Sequence, residues 1–436
     1  MLGGGTFTAQ NKILPGSYIN FVSLSRANAS LSDRGIVTMP LSLDWGESGK
    51  VIEVTNADFQ KNALKLFGYD YSHDKMKGLR DLFLNARTLY VYRLNGAGEK
   101  ATCTYATAKY AGIRGNDLKI IIAKNADDNS KWDVKTVLGT TIVDEQIGVA
   151  NAAALINNDY VDFKTDATLA VTAGTVLTNG TNSEVNGEAY QGYLDKIESY
   201  TYNIMGVATT DNTIKNLIVA FVKRMRDEVG AKFQAVLHDI AADYEGVINV
   251  INDVKTDNNF DKSSIVYFMA GIEANCAINK TCLNKVYNGE FEVDTDYTQS
   301  QLEDAIKNGK LILHNVNNEV RILEDINSLV TTSDNKGEIF KNNQTIRVAD
   351  QIANDIAVLF NTKYLGNVPN NESGRISLWT DIVKHHTQLQ EIGAIEDFSD
   401  ENVTVSAGES KSSVVIDDVI TVINAMSQLY MTVKIA

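Results

Sequence analysis

The residues of this chain whose spacing comes nearest to known chemistry are a glycine-lysine loop, a few histidines and some paired carboxylates. Residues 46–50 read Gly-Glu-Ser-Gly-Lys, which resembles the end of a phosphate-binding loop. That motif requires a glycine five residues before the Gly-Lys pair, and serine or threonine after it. Asp44 and Val51 stand at those positions. We therefore expect a β-turn that leads into a strand, and no nucleotide site.

Metal-binding patterns are also incomplete. His385 and His386 are adjacent, and neighbouring side chains on a helix point about 100° apart, which makes a poor shared metal site. Asp294 and Asp296 lack the glycine and the terminal glutamate of a calcium loop. The cysteines form neither a zinc spacing nor a disulfide framework; they are Cys103, Cys276 and Cys282. The sequence predicts no metal and no cofactor.

His238 and Asp239 are the best indication of an enzyme. They directly follow a predicted strand, at the position where α/β enzymes often carry functional residues. A surface histidine beside a helix cap explains the same residues. Five histidines in the whole chain also leave few candidates for a general base. An acidic cytosolic α/β enzyme with a site near His238 remains the alternative interpretation.

Composition and charge exclude two broad classes of protein. The 436 residues suggest roughly two to four domains. Lys and Arg total 40 against 55 Asp and Glu, which gives a net charge of −15. This acidity argues against a nucleic-acid coat protein and against a basic membrane-surface binder. We see no signal peptide and no apolar stretch of membrane-spanning length, so we expect synthesis in the cytoplasm without membrane insertion.

Changes of pattern along the chain predict a multi-domain α/β protein. Residues 184–330 alternate helix and strand, which indicates a mainly parallel sheet covered on both faces. Within them we predict a helix over 263–281, and a capping box, Thr298-x-x-Gln301, opens another helix. The predicted parts are an N-terminal arm (1–24), the first part of an α+β core (25–100), an inserted all-β module (101–183), the α/β domain (184–330) and a C-terminal core domain with a terminal strand (331–436).

The two ends of the chain carry the most informative pattern. Residues 429–435, Leu-Tyr-Met-Thr-Val-Lys-Ile, have high strand propensity, and residues 18–24 read as a strand that follows a glycine-rich arm. A strand of this kind is an aggregation hazard unless it is paired. It either completes a sheet of its own subunit or adds to a sheet of a neighbour. The length of the N-terminal arm favours exchange between subunits.

Four stretches carry a resemblance to a known family. They are residues 14–21 (Leu-Pro-Gly-Ser-Tyr-Ile-Asn-Phe), residues 108–118 (Ala-Lys-Tyr-Ala-Gly-Ile-Arg-Gly-Asn-Asp-Leu), residues 347–355 with 364–371, and residues 389–395 with the terminal 430–433. In this order they span the chain, and the last hundred residues are the most specific. The sequence resembles the tail sheath proteins of contractile phages and of related phage-tail-like bacteriocins.

The resemblance implies a structural, self-assembling protein without enzymatic activity. Sheath subunits have a layered α/β core with a β insertion that faces outward, and terminal arms that add strands to neighbouring subunits. Rings of six stack around an inner tail tube. Contraction from a metastable extended state then drives the tube through the envelope of the target cell. Implied partners are further copies of the chain, the tube protein, and baseplate and tail terminator proteins. The assembly is part of a virion tail or of an extracellular tail-like particle, and the sequence does not decide between them.

The resemblance also assigns residues by position. The linking strands would be formed by Tyr18, Ile19, Phe21 and Val22 at one end, and by Tyr430, Met431, Thr432, Val433 and Ile435 at the other. Residues 413–422 would form the acceptor strand or its neighbour. On a helix predicted over 373–391, possible tube contacts are Arg375, Lys384 and His385. A plain solvated helix face explains the charges of that helix equally well.

Overall fold

The computed structural model describes residues 31–435, which form two compact units. The larger unit consists of residues 33–351 and 422–435, and the smaller unit consists of residues 31–32 and 352–421. The predicted N-terminal linking strand, with Tyr18, Ile19, Phe21 and Val22, lies outside the described residues. Among residues 31–435, no helix has both the length and the apolar character needed to cross a membrane.

The larger unit contains fourteen strands and six complete helices among its described residues. Its strands are β1 (Ile36–Leu41), β2 (Val51–Thr55), β3 (Thr88–Arg93), β4 (Ala106–Ala108), β5 (Leu118–Lys124), β6 (Trp132–Leu138), β7 (Thr141–Val149), β8 (Val161–Phe163), β9 (Thr172–Val176), β10 (Ile204–Val207), β11 (Gln234–His238), β12 (Val247–Val250), β13 (Leu313–Val316) and β14 (Glu319–Ile322). Its complete helices are α1 (Asn56–Phe67), α2 (Lys77–Phe83), α3 (Gly187–Ile197), α4 (Asn212–Lys223), α5 (Ile265–Asn275) and α6 (Gln299–Lys307).

A six-stranded sheet forms the centre of the larger unit. Its strand order is β12-β11-β10-β1-β3-β2, and every neighbouring pair is parallel except β2 and β3. Side chains alternate between two cores, as the pleat requires. In β11, Val236 packs into the core that contains α5, whereas Ala235 and Leu237 pack into the core that contains α3 and α4. This confirms the predicted parallel sheet with both faces covered.

Helix α1 shows how local sequence determines an element boundary. Thr55 caps the helix in a reciprocal capping box with Asp58, and Gly68 ends it with a φ of 78°, a conformation that glycine adopts without strain. The predicted capping box of Thr298 and Gln301 at the start of α6 is confirmed.

Loss of the Thr55 cap is expected to have a measurable cost. The Thr55 hydroxyl accepts a hydrogen bond from the backbone N–H of Asp58 at 3.1 Å. The Thr55→Ala variant is therefore expected to lose about 1 kcal/mol of unfolding free energy in chemical denaturation. Thr213→Ala, at an exposed position in α4, is the matched control and is expected to stay within about 0.5 kcal/mol of the wild type. Equal losses in both variants would contradict the role of the cap.

The inserted β module has a core of its own. A four-stranded antiparallel sheet, β7-β6-β5-β9, packs with the short pair β4-β8. Alternate residues of β5 (Leu118, Ile120 and Ile122) face inward and are buried. The fully buried Trp45 joins this core from outside the module and makes an edge contact with the Tyr110 ring at 5.2 Å.

The smaller unit is built on two helices and a hairpin. The elements in or entering this unit are α7 (Asn343–Leu359), α8 (Glu372–Glu391), β15 (Ile395–Glu396), β16 (Val403–Ala407), β17 (Val414–Asp418) and β18 (Thr421–Val422). Helix α7 starts in the larger unit and continues into the smaller one. A small core centred on Leu359, Leu378 and Val403 joins α7, α8 and β16.

Two predicted elements differ from the structure. The helix predicted over 263–281 ends at Asn275, because Cys276 adopts extended backbone and a turn from Ala277 to Lys280 redirects the chain. Residues 429–435, where we predict a strand, form neither helix nor strand in the described chain, and the same holds for residues 423–428 before them.

Candidate assembly site

The C-terminal segment is fastened at its base to the first turn of α7. The Gln344 side-chain amide donates to the carbonyl of Ile423 at 3.0 Å, and its oxygen accepts from the N–H of Ala425 at 3.1 Å. The Thr345 hydroxyl donates to the side-chain oxygen of Asn424 at 3.2 Å. Because Gln344 and Thr345 are themselves buried, these contacts give the segment a defined starting point.

Beyond Ala425 the apolar side chains of this segment are exposed. Leu429 is 85% exposed, Tyr430 88% and Ile435 94%, and Met431 and Val433 are exposed as well. An exposed apolar run of strand-forming residues is a binding surface or an aggregation hazard. The segment therefore has the chemistry of a linking strand, and the role of Tyr430, Met431, Thr432, Val433 and Ile435 in linking stays a prediction.

The hairpin β16-β17 is the candidate acceptor of such a strand. Its register pairs Val403 with Asp418 and Ala407 with Val414. Among the described residues the sheet contains only these two strands, so both outer edges carry unpaired backbone groups. A two-stranded sheet is marginally stable and gains from added strands. The predicted acceptor, residues 413–422, includes all of β17.

Helix α8 places the three predicted tube contacts in different environments. Lys384 is exposed, and Arg375 is half-buried, where its guanidinium donates to the side-chain oxygen of Asn370 at 3.1 Å. His385 is fully buried, because its ring packs inside the smaller unit. The prediction of His385 as a contact residue is therefore corrected, whereas Arg375 and Lys384 stay predictions.

The two adjacent histidines of α8 share contacts that the sequence argument did not foresee. The Nδ1 atoms of His385 and His386 lie 3.2 Å apart. The Nε2 of His385 lies 3.0 Å from Asp355 Oδ2, and the Nε2 of His386 lies 2.7 Å from Asp418 Oδ2. Rotation about the side-chain bonds brings the rings together although the Cα–Cβ vectors diverge. The two imidazoles form one buried polar cluster.

A cavity of about 570 Å³ lies in the smaller unit beside the start of β17. It is lined mainly by apolar and loop residues, among them Phe360, Tyr364, Leu378 and Val414, with Arg375 at the same wall. This cavity gives the unit a concave surface next to the hairpin.

His238, the basis of the enzyme alternative, is buried, and the expectation of a surface histidine is wrong. Burial lowers the pKa of its imidazole, which lies 2.9 Å from Asp253 but without hydrogen-bond alignment. The buried Lys215 ammonium of α4 donates to the carbonyls of His238 at 3.1 Å and Asp239 at 3.0 Å. These hydrogen bonds link α4 to the end of β11. The 570 Å³ cavity lies in the smaller unit and not at this histidine. The geometry around His238 is that of a packed structural residue.

A buried charge cluster in the larger unit joins three distant parts of the chain. Arg347 Nη2 lies 2.7 Å from Glu273 Oε2 and 3.4 Å from Asp325 Oδ2. Burial and the nearby Asp325 raise the pKa of Glu273 well above its ordinary value. Burial would also raise the pKa of Asp325, but the charge of Arg347 and several hydrogen bonds lower it. The surroundings thus favour the neutral form of Glu273 and the ionised form of Asp325 beside Arg347.

Glu273, Asp325 and Cys282 also place three possible metal-ligand atoms within 4.8 Å of one another. The residues do not fit a cation, because the Arg347 guanidinium already contacts both carboxyl groups. The pKa of the Cys282 thiol is raised by its hydrogen bond with Cys276 and by burial, which disfavours the thiolate that binds metals. The cluster is an ion pair within a polar core.

Comparison with known proteins gives consistent matches along the chain. Models of the phage tail sheath protein central domain, the phage tail sheath C-terminal domain and the phage tail sheath protein beta-sandwich domain match residues 183–328, 335–436 and 95–182. Residues 34–94 match the tail sheath protein Gp18 domain III N-terminal region. The chain is 29% identical over 469 aligned residues to the phage-like element PBSX protein XkdK of Bacillus subtilis, and the match covers all of both chains.

Solved structures agree with these matches. The crystal structure of a sheath tail protein from Desulfitobacterium hafniense is 34% identical, with a TM-score of 0.82 over 93% of this chain and 96% of that one. The contracted helical sheath of the anti-feeding prophage has a TM-score of 0.57 at 12% identity, over 97% of this chain and 99% of that one, and it shows the fold alone. The chain belongs to the phage tail sheath protein family. This confirms the resemblance seen in the sequence, and the matched proteins are structural components of contractile tails and tail-like particles.

Proposed function

We propose that this chain polymerises as stacked hexameric rings around an inner tail tube. The resulting sheath contracts from a metastable extended state and drives the tube through the envelope of the target cell. The work comes from repacking of subunit interfaces, without catalysis or a cofactor. The partners are other copies of the chain, the tube protein, and baseplate and tail terminator proteins. The protein is made in the host cytoplasm and works in a virion tail or an extracellular tail-like particle.

The observation that carries this proposal is the exposed strand-forming segment after Ala425. Its base is hydrogen-bonded to Gln344, whereas Leu429, Tyr430 and Ile435 are almost fully exposed. Addition of this segment to a β16-β17 hairpin of a neighbouring subunit would bury these side chains and complete a sheet. Backbone hydrogen bonds of such a ladder persist while surrounding side chains repack, which is the property that a link needs during contraction.

The domain organisation supports the same proposal. We propose a linking arm (1–24), an α+β core (25–100), an outward-facing β module (101–183), an α/β domain (184–330) and a C-terminal core (331–436). On α8, Arg375 and the exposed Lys384 are the proposed contacts with the tube.

Deletion of residues 428–436 tests the link. Because the fastening contacts of Ile423, Asn424 and Ala425 remain, we expect a folded chain with unchanged circular dichroism and thermal unfolding. Negative-stain electron microscopy and sedimentation are expected to show uniform tubes for the wild type and none for the deletion variant. Tubes formed by the deletion variant as readily as by the wild type would contradict the proposal.

A pair of point variants separates strand pairing from mere loss of apolar surface. Thr432→Pro removes one backbone N–H from the proposed ladder, whereas Thr432→Ala keeps it. We expect the proline variant to block assembly and the alanine variant to assemble like the wild type. Equal behaviour of the two variants would argue against a ladder through residue 432.

A further inference from the structure

The buried histidine cluster of the smaller unit forms a continuous row of four side chains. Asp355 of α7, His385 and His386 of α8, and Asp418 of β17 follow one another at 3.0, 3.2 and 2.7 Å. Both rings are fully buried, and the Asp418 side chain is 24% exposed. The row therefore joins two helices and the hairpin through polar contacts alone.

The number of protons in this row follows from its geometry. A neutral imidazole has one N–H and one lone pair. If each Nε2–H donates to an ionised aspartate, two lone pairs face each other between the Nδ1 atoms of His385 and His386. If one ring takes the other tautomer instead, its Nε2 lone pair faces a carboxylate. Every such arrangement leaves one contact between two acceptors, either in the buried part of the row or at the part-buried contact of His386 with Asp418, and a contact of this kind is costly.

One additional proton satisfies all three contacts at once. With an N–H on both Nε2 atoms and on one Nδ1, every contact has one donor and one acceptor. A proton on Asp418 or Asp355, instead of on a ring, also gives each of the three contacts one donor and one acceptor. Among the described residues, the titratable groups that contact the ring nitrogens are Asp355 from α7 and Asp418 from β17. Ser32 donates to the other Asp355 oxygen at 2.6 Å, and the Phe398 ring lies 5.2 Å from that of His386.

We propose that this row holds one proton in excess of neutral histidines and ionised aspartates, and that the proton locks the β16-β17 hairpin to α8. The lock is a property of the single chain and does not depend on the proposed assembly. Histidines of an opened or unfolded chain are largely neutral above about pH 7, because the unperturbed imidazole pKa is about 6.5. The locked form then binds a proton that the opened form lacks, so the lock weakens as pH rises.

The Asp418→Asn variant removes the need for the additional proton. The side-chain amide that this substitution introduces can donate an N–H to the Nε2 of His386, whose Nδ1–H then donates to His385, and all contacts are satisfied by neutral rings. Asp417→Asn, with the same charge change on the adjacent and exposed residue of β17, is the matched control. Asp355→Asn makes the same change at the other end of the row. It replaces Asp418→Asn as the test variant if Asp418→Asn fails to fold.

Hydrogen exchange of residues 403–418 measures the lock in the full chain, after correction for the intrinsic pH dependence of exchange. Between about pH 7 and 9, protection in the wild type and in Asp417→Asn is expected to fall by up to tenfold per pH unit, the limit for one proton. Protection in Asp418→Asn is expected to stay constant. Nitrogen NMR of histidine-labelled protein at pH 7 is expected to show one more ring N–H in the wild type than in Asp418→Asn. Identical pH dependence in the three proteins overturns the proposal. Equal N–H counts together with the expected pH dependence place the additional proton on Asp355 or Asp418 and not on a ring.

Discussion

Replacement of Arg347 by methionine is expected to lower the free energy of unfolding of the larger unit by about 3–5 kcal/mol. The guanidinium lies against Glu273 and Asp325 with side chains that are at most 1% exposed, and it donates to the carbonyl of Lys280 at 2.9 Å. Methionine keeps much of the volume but leaves the ionised Asp325 buried without a counter-charge. Chemical denaturation, followed by circular dichroism, measures the loss.

Variants of the two acids that contact Arg347 provide the control for this prediction. Because burial and the nearby Asp325 favour the neutral form of Glu273, Glu273→Gln introduces a neutral group of the same shape and is expected to cost less than about 1 kcal/mol. Asp325→Asn removes the carboxylate whose ionised form Arg347 favours, and it weakens bonds from Cys282 and Asn343. It is expected to cost as much as Arg347→Met. If Glu273→Gln were as damaging as Asp325→Asn, the assignment of charges would be wrong.

A loss of about 3–5 kcal/mol is also expected for Arg226→Met. Arg226 makes two parallel hydrogen bonds to Asp350, at 2.6 and 2.8 Å, and a third to the carbonyl of Phe233 at 2.6 Å. Burial alone would lower the pKa of Arg226, but the charge of Asp350 raises it, which favours the charged guanidinium. The methionine variant leaves the Asp350 carboxylate buried and unpaired, and its unfolding is measured in the same way.

Arg224 offers a matched control two residues away. Its guanidinium pairs with Glu198 at 2.6 Å, but the two side chains are 42% and 40% exposed. Because exposed ion pairs contribute little, Arg224→Met is expected to cost much less unfolding free energy than Arg226→Met. The comparison holds the chemistry constant and changes only the burial. Losses of equal size in the two variants would show that burial of the Arg226 pair is not what makes it important.

Elements with a local cause were predictable from the sequence. Capping by Thr298 and Gln301, the end of α1 at Gly68 and the alternation of helix and strand each depend on neighbours within a few residues. The family resemblance was predictable for a similar reason, since its motifs are continuous stretches. The premature end of α5 was not, because the contacts at the turn after Asn275 come from distant residues: Arg34 donates to the carbonyl of Cys276, and Arg347 donates to that of Lys280.

The buried polar clusters show where sequence reasoning stops. Arg347 meets Asp325 across 22 residues and Glu273 across 74, and no periodic pattern encodes such a meeting. For His385 the sequence correctly placed the residue on a helix, but the choice between a surface contact and a buried pair depends on Asp355, 30 residues away. The role of such a buried residue depends on which distant residues the fold places beside it.

The hydrogen bonds of Gln344 to Ile423 and Ala425 also limit how far the residues after Ala425 can reach from the larger unit. The ten described residues after the fastened Ala425 are 426–435, and a fully extended chain spans at most about 3.3–3.6 Å per residue, or roughly 33–36 Å over these ten. That reach is about the diameter of a small domain. In the proposed assembly, a link through residues 426–435 would therefore keep Ala425 within about this distance of the neighbouring subunit to which residue 435 is bound.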